Sequence, residues 1–381
     1  MSGITEQDIF VVTDNVLSPL GKTTAENFAK LKEGVSGVKE HYHTAISPLS
    51  FFASLFDQDE QILKADEHDY TKFEQLLVAS IADALNGSGI DVRDKKTILI
   101  ISSTKGNISL LEDGINNIEL KNRISLSTSA KLVAEHFGFQ NKPIVVSNAC
   151  ISGVLGIITA MRLLRSGEYE HAVVAGADVI SKFIMSGFQS FQALSPQQCK
   201  PFDQAHDGLN LGEGAATIIL STNEKYAQNI KVKGGSVSND ANHISGPSRT
   251  GQELASAIKL ALKDADLSTS DIHFISAHGT ATVYNDEMEA SAISLSGLQK
   301  VPLNSLKGYY GHTLGAAGLI ESIISIQSLK QSLVLPTIGF KEPASADKVN
   351  VLAEAKRIKA NNFLKTASGF GGCNAAVIFG K

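Results

Sequence analysis

The sequence predicts an α/β layer fold made of two copies of one unit, on three observations. Short β-branched runs alternate with amphipathic helical stretches along the chain, the pattern of sheets covered by helices. Two strand ends, Ser147-Asn148-Ala149-Cys150-Ile151-Ser152-Gly153 and Asn304-Ser305-Leu306-Lys307 running on to Gly311-His312-Thr313-Leu314-Gly315-Ala316-Ala317-Gly318, each feed a helix of small and apolar residues. The 381 residues, 43% of them hydrophobic, suffice for a large core in two domains or one duplicated one.

Taken in order, residues 10–13 read as a strand, Ser18-Pro19-Leu20-Gly21 as a turn, and 24–32 as a short helix with Ala25, Phe28, Ala29 and Leu31 apolar. Residues 41–60 carry Tyr42, Phe51, Phe52 and Phe56 without a clear period. A longer amphipathic helix over 71–85 is stopped by Asn86-Gly87-Ser88-Gly89. A strand at 97–101 runs into the polar loop 102–107, followed by a helix at 129–137, the strand 144–146 and its helix from Ile151, and a strand at 172–175. The loop 194–208, ending in Gly212-Glu213-Gly214-Ala215, is long and rich in turn residues, as functional or interface loops are. Strands at 216–220 and 230–237, a helix at 252–264, a strand at 272–276 and helices at 286–293 and 315–330 complete the alternation.

Composition excludes several classes. With 32 glycines, 19% charged residues and a net charge of -5, the chain has the make-up of a globular protein, without the bias of disordered or fibrous ones. No lysine- or arginine-rich run stands out, so neither nucleic acid nor an anionic membrane is an expected partner. Residues 1–8 lack the basic and apolar regions of a signal peptide, and no apolar run approaches a membrane span. Cys150, Cys199 and Cys373 are an odd number at unpatterned spacings, which points to a reducing compartment and no disulfide framework. A cytoplasmic protein is the expectation.

Cys150 is the most informative residue. It sits where a proline-led β-branched strand hands over to a helix, and unpaired amides at a helix start favour a thiolate over a thiol. A free cysteine has a pKa of roughly 8.5, which such a site lowers. Cys150 is therefore a candidate nucleophile at neutral pH, against the plainer reading of a packed core cysteine. His278 stands just past the strand 272–276, and His312 in the loop that opens at Lys307. Strand ends are the usual location for catalytic groups in α/β proteins. His41, His43, His68, His136, His171, His243 and His273 read as structural or exposed, and Asp286 and Glu289 most simply as acids at a helix N-terminus.

In their order and spacing these strings resemble the β-ketoacyl-acyl carrier protein synthases, elongating condensing enzymes with a Cys-His-His site on the thiolase fold. The likeness runs nearly end to end: Val12-Thr13 with Ser18-Pro19-Leu20-Gly21; Asn148-Ala149-Cys150; Pro201-Phe202-Asp203 with Asp207-Gly208 and Gly212-Glu213-Gly214-Ala215; His278-Gly279-Thr280 with Thr282, Asp286 and Glu289; Lys307 through Gly311-His312-Thr313; and Gly369-Phe370-Gly371-Gly372 with Asn374. The resemblance implies two pseudo-symmetric halves, 1–222 and 223–381, in a five-layer αβαβα sandwich, usually a dimer, as homodimer or heterodimer. It implies that Cys150 accepts an acyl chain from an acyl carrier protein and that its N–H and that of Phe370 form an oxyanion hole. His278 and His312 would then stabilise the enolate left when malonyl-acyl carrier protein loses carbon dioxide, and the fatty acid or polyketide/polyene chain would grow by two carbons. Lys307 would pair with Glu289 and organise the histidines, Asp286 would support them, Thr280 and Thr282 would bind the phosphopantetheine arm, and Phe370 would gate the acyl pocket. No metal and no resident cofactor is implied.

Several positions depart from the family pattern. Cys373 replaces a threonine, Val283 a proline and His206 an arginine; Ile151 is bulkier than the usual alanine, and the loop 102–107 lacks a glycine pair. These point to a specialised synthase. Two competing readings are a thiolase, with Cys373 as second cysteine, and a chain-length-factor-like partner subunit. The Lys307 to His312 spacing speaks against the first, and retention of Cys150, His278 and His312 against the second; retention of Cys150 also speaks against a decarboxylase of malonyl groups alone, which would need only the histidines.

Overall fold

The computed structural model describes residues 7–57, 62–63, 69–112, 118–227, 229–241, 246–344 and 349–381. The first half contributes strands β1 (Phe10–Leu17), β2 (Thr97–Ser102), β3 (Ile144–Val146), β4 (His171–Asp178) and β5 (Gly214–Ser221), with helices α1 (Thr24–Lys32), α2 (Lys72–Leu85), α3 (Leu126–Phe137), α4 (Ser152–Arg165) and α5 (Lys182–Ser190). The second contributes β6 (Lys231–Asn239), β7 (Phe274–Ser276), β8 (Pro302–Asn304), β9 (Asn362–Gly369) and β10 (Cys373–Gly380), with α6 (Gln252–Asp264), α7 (Val283–Leu295) and α8 (Ala317–Gln331).

The spatial order β3-β2-β4-β5-β1 passes through one residue pair, Phe10 with Lys231, into β6-β10-β9-β7-β8, beyond which Asn350–Val351 adds a short edge strand. In the first half β2 is parallel to β3 and β4, and β5 is antiparallel to β4 and β1. In the second β7 is parallel to β8 and β9, and β10 is antiparallel to β9 and β6. Equal order with equal directions is the duplication that the echo between the two strand ends predicts.

Helices α4 and α8 lie between the sheets and touch strands of both. Each is buried almost all round, as a central layer requires. Helices α2 and α3 cover the outer face of one sheet, and α6 and α7 that of the other, giving five layers αβαβα. At the crossing of the two central helices a Cβ on Gly153 would stand 2.8 Å from the Leu319 amide nitrogen, and one on Gly318 2.9 Å from that of Val154. Glycine lets the two backbones meet.

The expected elements are found with shifted ends. Thr71 lies outside α2 as its N-cap, its side chain and that of Glu74 closing a capping box. Helix α3 starts three residues earlier than its apolar pattern, and α7 begins at Val283, directly after Thr282. Helix α8 begins at Ala317, after a single 3-10 turn over Leu314–Ala316. Within 41–60 the strand Phe51–Ser54 forms a small sheet with Lys39–His41 and Leu211–Gly212. The hairpin β9–β10 and helix α5 are elements beyond those expected from the sequence; β9 reads Asn-Phe-Leu-Lys-Thr-Ala-Ser-Gly, with a lysine in a buried run. His68 and His243 lie outside the described residues. Among the described residues no helix is long and apolar enough to cross a membrane.

The helix crossing predicts opposite outcomes for two glycines. Gly153→Ala forces the central helices apart and lowers stability by about 1–3 kcal/mol. Gly187→Ala, inside α5 with open space around the added carbon, is neutral or stabilising by up to about 1 kcal/mol. Urea unfolding of both variants measures the contrast; equal effects would contradict the crossing argument.

Candidate active site

The turn between β3 and α4 is held by its own side chains. Ala149 sits at φ 44°, a left-handed conformation unusual for alanine. Ser152 compensates: its Oγ accepts from the Asn148 amide at 2.8 Å and donates to the Ala149 carbonyl at 2.6 Å. The turn points Cys150 into the interior, where its thiol is largely buried and accepts a hydrogen bond from the Phe370 amide. Burial pushes the thiol up to about 12, although the Lys307 ammonium pulls it down in part. This corrects the expectation from the helix start, since loss of water outweighs the helix N-terminus and the resting group at neutral pH is the thiol.

The loop after β7 is shaped by two carboxylates on α7. Glu289 accepts from the His278 and Gly279 amides at 2.8 and 2.7 Å and from the Thr366 hydroxyl at 2.6 Å. Asp286 accepts from the Thr280 and Ala281 amides at 2.9 and 3.2 Å and from the Phe202 amide at 2.7 Å. Both acids are fully buried; Asp286 lies in the first turn of α7 as expected and Glu289 beyond it, and both hold the His278 loop in place. Gly279 and Ala281 take φ 40° and 63° in the same turn. His206 Nδ1 lies 3.5 Å from Asp286, whose carboxylate raises the imidazole's pKa.

Lys307 does not pair with Glu289. Its buried ammonium donates to Glu321 Oε1 at 2.7 Å, to the His278 carbonyl at 2.7 Å and to His278 Nδ1 at 3.3 Å. Glu289 is already engaged by the His278 and Gly279 amides and the Thr366 hydroxyl, which is why the expected pairing fails. Because an ammonium only donates, Nδ1 of His278 is the acceptor and the ring proton is on Nε2. His312 is fixed through its backbone, donating to the Asn210 carbonyl at 2.7 Å and accepting from the Gly212 amide at 3.1 Å, so the central loop straps it down. The two imidazoles meet edge to face at 5.3 Å. Burial, and then Lys307, hold both pKa values well below the ordinary histidine value, so both rings are neutral at pH 7.

Cys150, His278, His312, Thr280, Thr282 and Phe370 line one cavity of about 510 Å³. The Thr280 and Thr282 hydroxyls are 2.8 Å apart on its wall. Phe370, 40% exposed, stacks loosely on Phe188 and Phe191 with ring centroids 5.8 and 5.4 Å away. Cys373 is buried, its thiol 3.4 Å from the Phe370 carbonyl, as befits a packed residue of the closing turn. Two buried groups escaped the sequence reading. Glu321 and Lys365 form an ion pair at 2.7 Å beneath the histidines. The available signal was one charge inside each of two apolar runs, since charged residues are rarely fully buried unless paired.

A thiol and two neutral imidazoles opening into one cavity of a duplicated sandwich are the equipment of an acyl-transferring condensing enzyme. Residues 6–226 match the N-terminal domain of β-ketoacyl synthases and residues 230–341 the C-terminal domain, and the chain belongs to that family. It is 30% identical to a 3-oxoacyl-acyl-carrier-protein synthase 2 of Vibrio harveyi, over 99% of each chain. Among solved structures it is similar to the ishigamide ketosynthase/chain length factor, with a TM-score of 0.90, 26% identity and coverage of 99% of this chain and 100% of that one. A β-ketoacyl synthase from Burkholderia phymatum superposes with a TM-score of 0.86 at 25% identity, over 98% and 99% of the two chains. The fold is thus thiolase-like, as expected.

The burial of Cys150 predicts how its thiol reacts. Alkylation of Cys150 by iodoacetamide, followed by intact mass, rises about tenfold per pH unit from pH 7 to 10, as for a thiol titrating near 12. A plateau near pH 8 would show a thiolate already formed at rest.

Proposed function

We propose that this chain elongates an acyl group by two carbons, using Cys150 as acyl carrier and His278 and His312 as hydrogen-bond donors to a malonyl thioester. The observation that carries the reading is the Lys307 ammonium 3.3 Å from His278 Nδ1, which leaves the ring proton to Nε2, beside a thiol in the same cavity. In the first half-reaction the Cys150 sulfur attacks the thioester carbon of an acyl group on an acyl carrier protein. The oxyanion is met by the amides of Cys150 and Phe370, and the phosphopantetheine thiol leaves with the proton that Cys150 gives up. In the second, a malonyl thioester enters and its bond to the carboxylate breaks, releasing carbon dioxide. The electron pair moves onto the thioester oxygen, where two neutral N–H donors stabilise the enolate. The enolate carbon attacks the acyl carbon, the bond to the Cys150 sulfur breaks, and a β-ketoacyl product remains on the carrier.

Thr280 and Thr282 are assigned to the phosphopantetheine arm, Phe370 to gating the acyl pocket, and Lys307, Glu289 and Asp286 to holding the histidines. The halves are assigned as 1–222, carrying the nucleophile, and 223–381, carrying both histidines. The chemistry draws on these side chains and on substrates delivered by the carrier, with no resident cofactor or metal, and we place the enzyme in the cytoplasm. The similarity to a ketosynthase/chain length factor supports a dimer with a second copy or with a ketosynthase-like subunit, this chain being the active partner because it keeps all three reactive groups.

Intact-protein mass spectrometry with a panel of acyl-loaded carrier proteins tests the reading. Wild type gains an acyl adduct and Cys150→Ala does not. His278→Ala and His312→Ala each still load the acyl group but lose about 10²–10³ in malonyl decarboxylation. A folded wild type that takes no acyl group from any donor would overturn the assignment.

A further inference from the structure

The two histidines rest on four buried charges. Lys307 and Lys365 are both fully buried, and they share Glu321, whose Oε1 is 2.7 Å from Lys307 and Oε2 2.7 Å from Lys365. Lys365 projects from β9 and also donates to the Ser276 and Ala277 carbonyls at 3.2 and 3.1 Å, while Lys307 donates to the His278 carbonyl. Three consecutive carbonyls leading out of β7 to His278 therefore end on two ammonium groups joined by one carboxylate.

The charges that act on the imidazoles are of one sign. Lys307 after β8 and Lys365 on β9 both disfavour a proton on His278 and His312. The acids near those lysines are Glu321 on α8, which holds both ammonium groups, and Glu289 on α7, which is taken up by the His278 and Gly279 amides and the Thr366 hydroxyl. Asp178 and Asp286, the nearby remaining acids, are taken up by the amides and hydroxyls of their own loops, Asp178 by Ser103, Thr104 and Gly315. Without Lys365 the cluster loses one of the two ammonium groups that oppose a proton on the imidazoles, while Glu321 keeps its full charge, so both rings protonate more readily.

We propose that Lys365 is a positioning residue for the condensation: its ammonium fixes the strand end that presents His278 and offsets Glu321 beneath the site, so that both imidazoles stay neutral donors. This rests on the reading that His278 and His312 donate to the malonyl thioester. A protonated histidine would lose Nδ1 as an acceptor for Lys307 and break the geometry beneath the site.

The test is the pH profile of malonyl-thioester decarboxylation, with acyl loading of Cys150 measured in parallel. Relative to wild type, Lys365→Met moves the acid limb upward by about one pH unit or more, a loss on the order of tenfold on that limb. The double variant Lys365→Met with Glu321→Gln removes one charge of each sign and brings the limb back toward wild type. If Lys365→Met does not fold, the double variant is compared with Glu321→Gln alone, which carries an excess ammonium and has its limb at lower pH. An acid limb that Lys365→Met leaves in place, or that charge neutralisation does not restore, overturns the inference. Wild type that neither loads Cys150 nor decarboxylates the malonyl donor fails the functional reading instead, so the two failures are distinct.

Discussion

The close crossing of the two central helices is the constraint on which the site depends. Cys150 lies at the start of α4 and His312 just before the turn that opens α8, so both positions are set by where those helices meet. Gly153 and Gly318 remove the side chains that would hold the backbones apart, and Gly315 fits between Ser103 and the Asp178 carboxylate at the same place. A half-site from each copy of the repeat is thereby brought into one cavity. The third residue, His278, comes from the end of β7, whose loop needs Asp286 and Glu289 to neutralise its inward amides. Packing thus sets where the reactive atoms are, and hydrogen bonding sets which way they point.

Dryness is what gives those atoms their chemical character. Loss of water holds both imidazoles in the neutral form and holds the thiol protonated, so one physical cause sets the resting state of all three groups. Bare burial of Lys307 and Glu321 would cost far more than it returns, and the arrangement persists because every charge beneath the histidines has a partner of opposite sign. In such a medium an ammonium is also an effective device for fixing a tautomer, because it can only donate.

Much of this was legible in the sequence because it is local. A strand, a small polar residue, Cys150 and a helix follow one another in the chain, and so do the strand and loop that carry His278, Thr280 and Thr282. The duplication was legible for the same reason, since both copies write their strand-to-helix turn with small residues. What was not legible depends on segments that meet only in three dimensions. Lys307 and Glu289 both lie close to the histidines in any linear reading, yet Glu289 is consumed by the amides of His278 and Gly279. The true partner, Glu321, sits in an apolar helix, and Lys365 in a strand that alternation did not reveal. The protonation state of Cys150 was not legible for the same reason: the dipole of one helix can be read locally, while the depth of burial that outweighs it is a property of the whole sandwich.

A buried, protonated nucleophile has a consequence for the order of events in the proposed reaction. The thiol gains nothing by ionising while buried, so attack is favoured only when an acyl thioester brings a leaving sulfur that can take up the proton and a carbonyl oxygen for the two amides to receive. The histidines, by contrast, are ready before any substrate arrives, because their donors need no prior deprotonation. Acyl loading therefore depends on the chemistry of the incoming donor and decarboxylation on the electrostatics of the protein. The two half-reactions share one cavity yet answer to different groups: Cys150 with the Phe370 amide for one, and His278, His312 and the paired charges beneath them for the other.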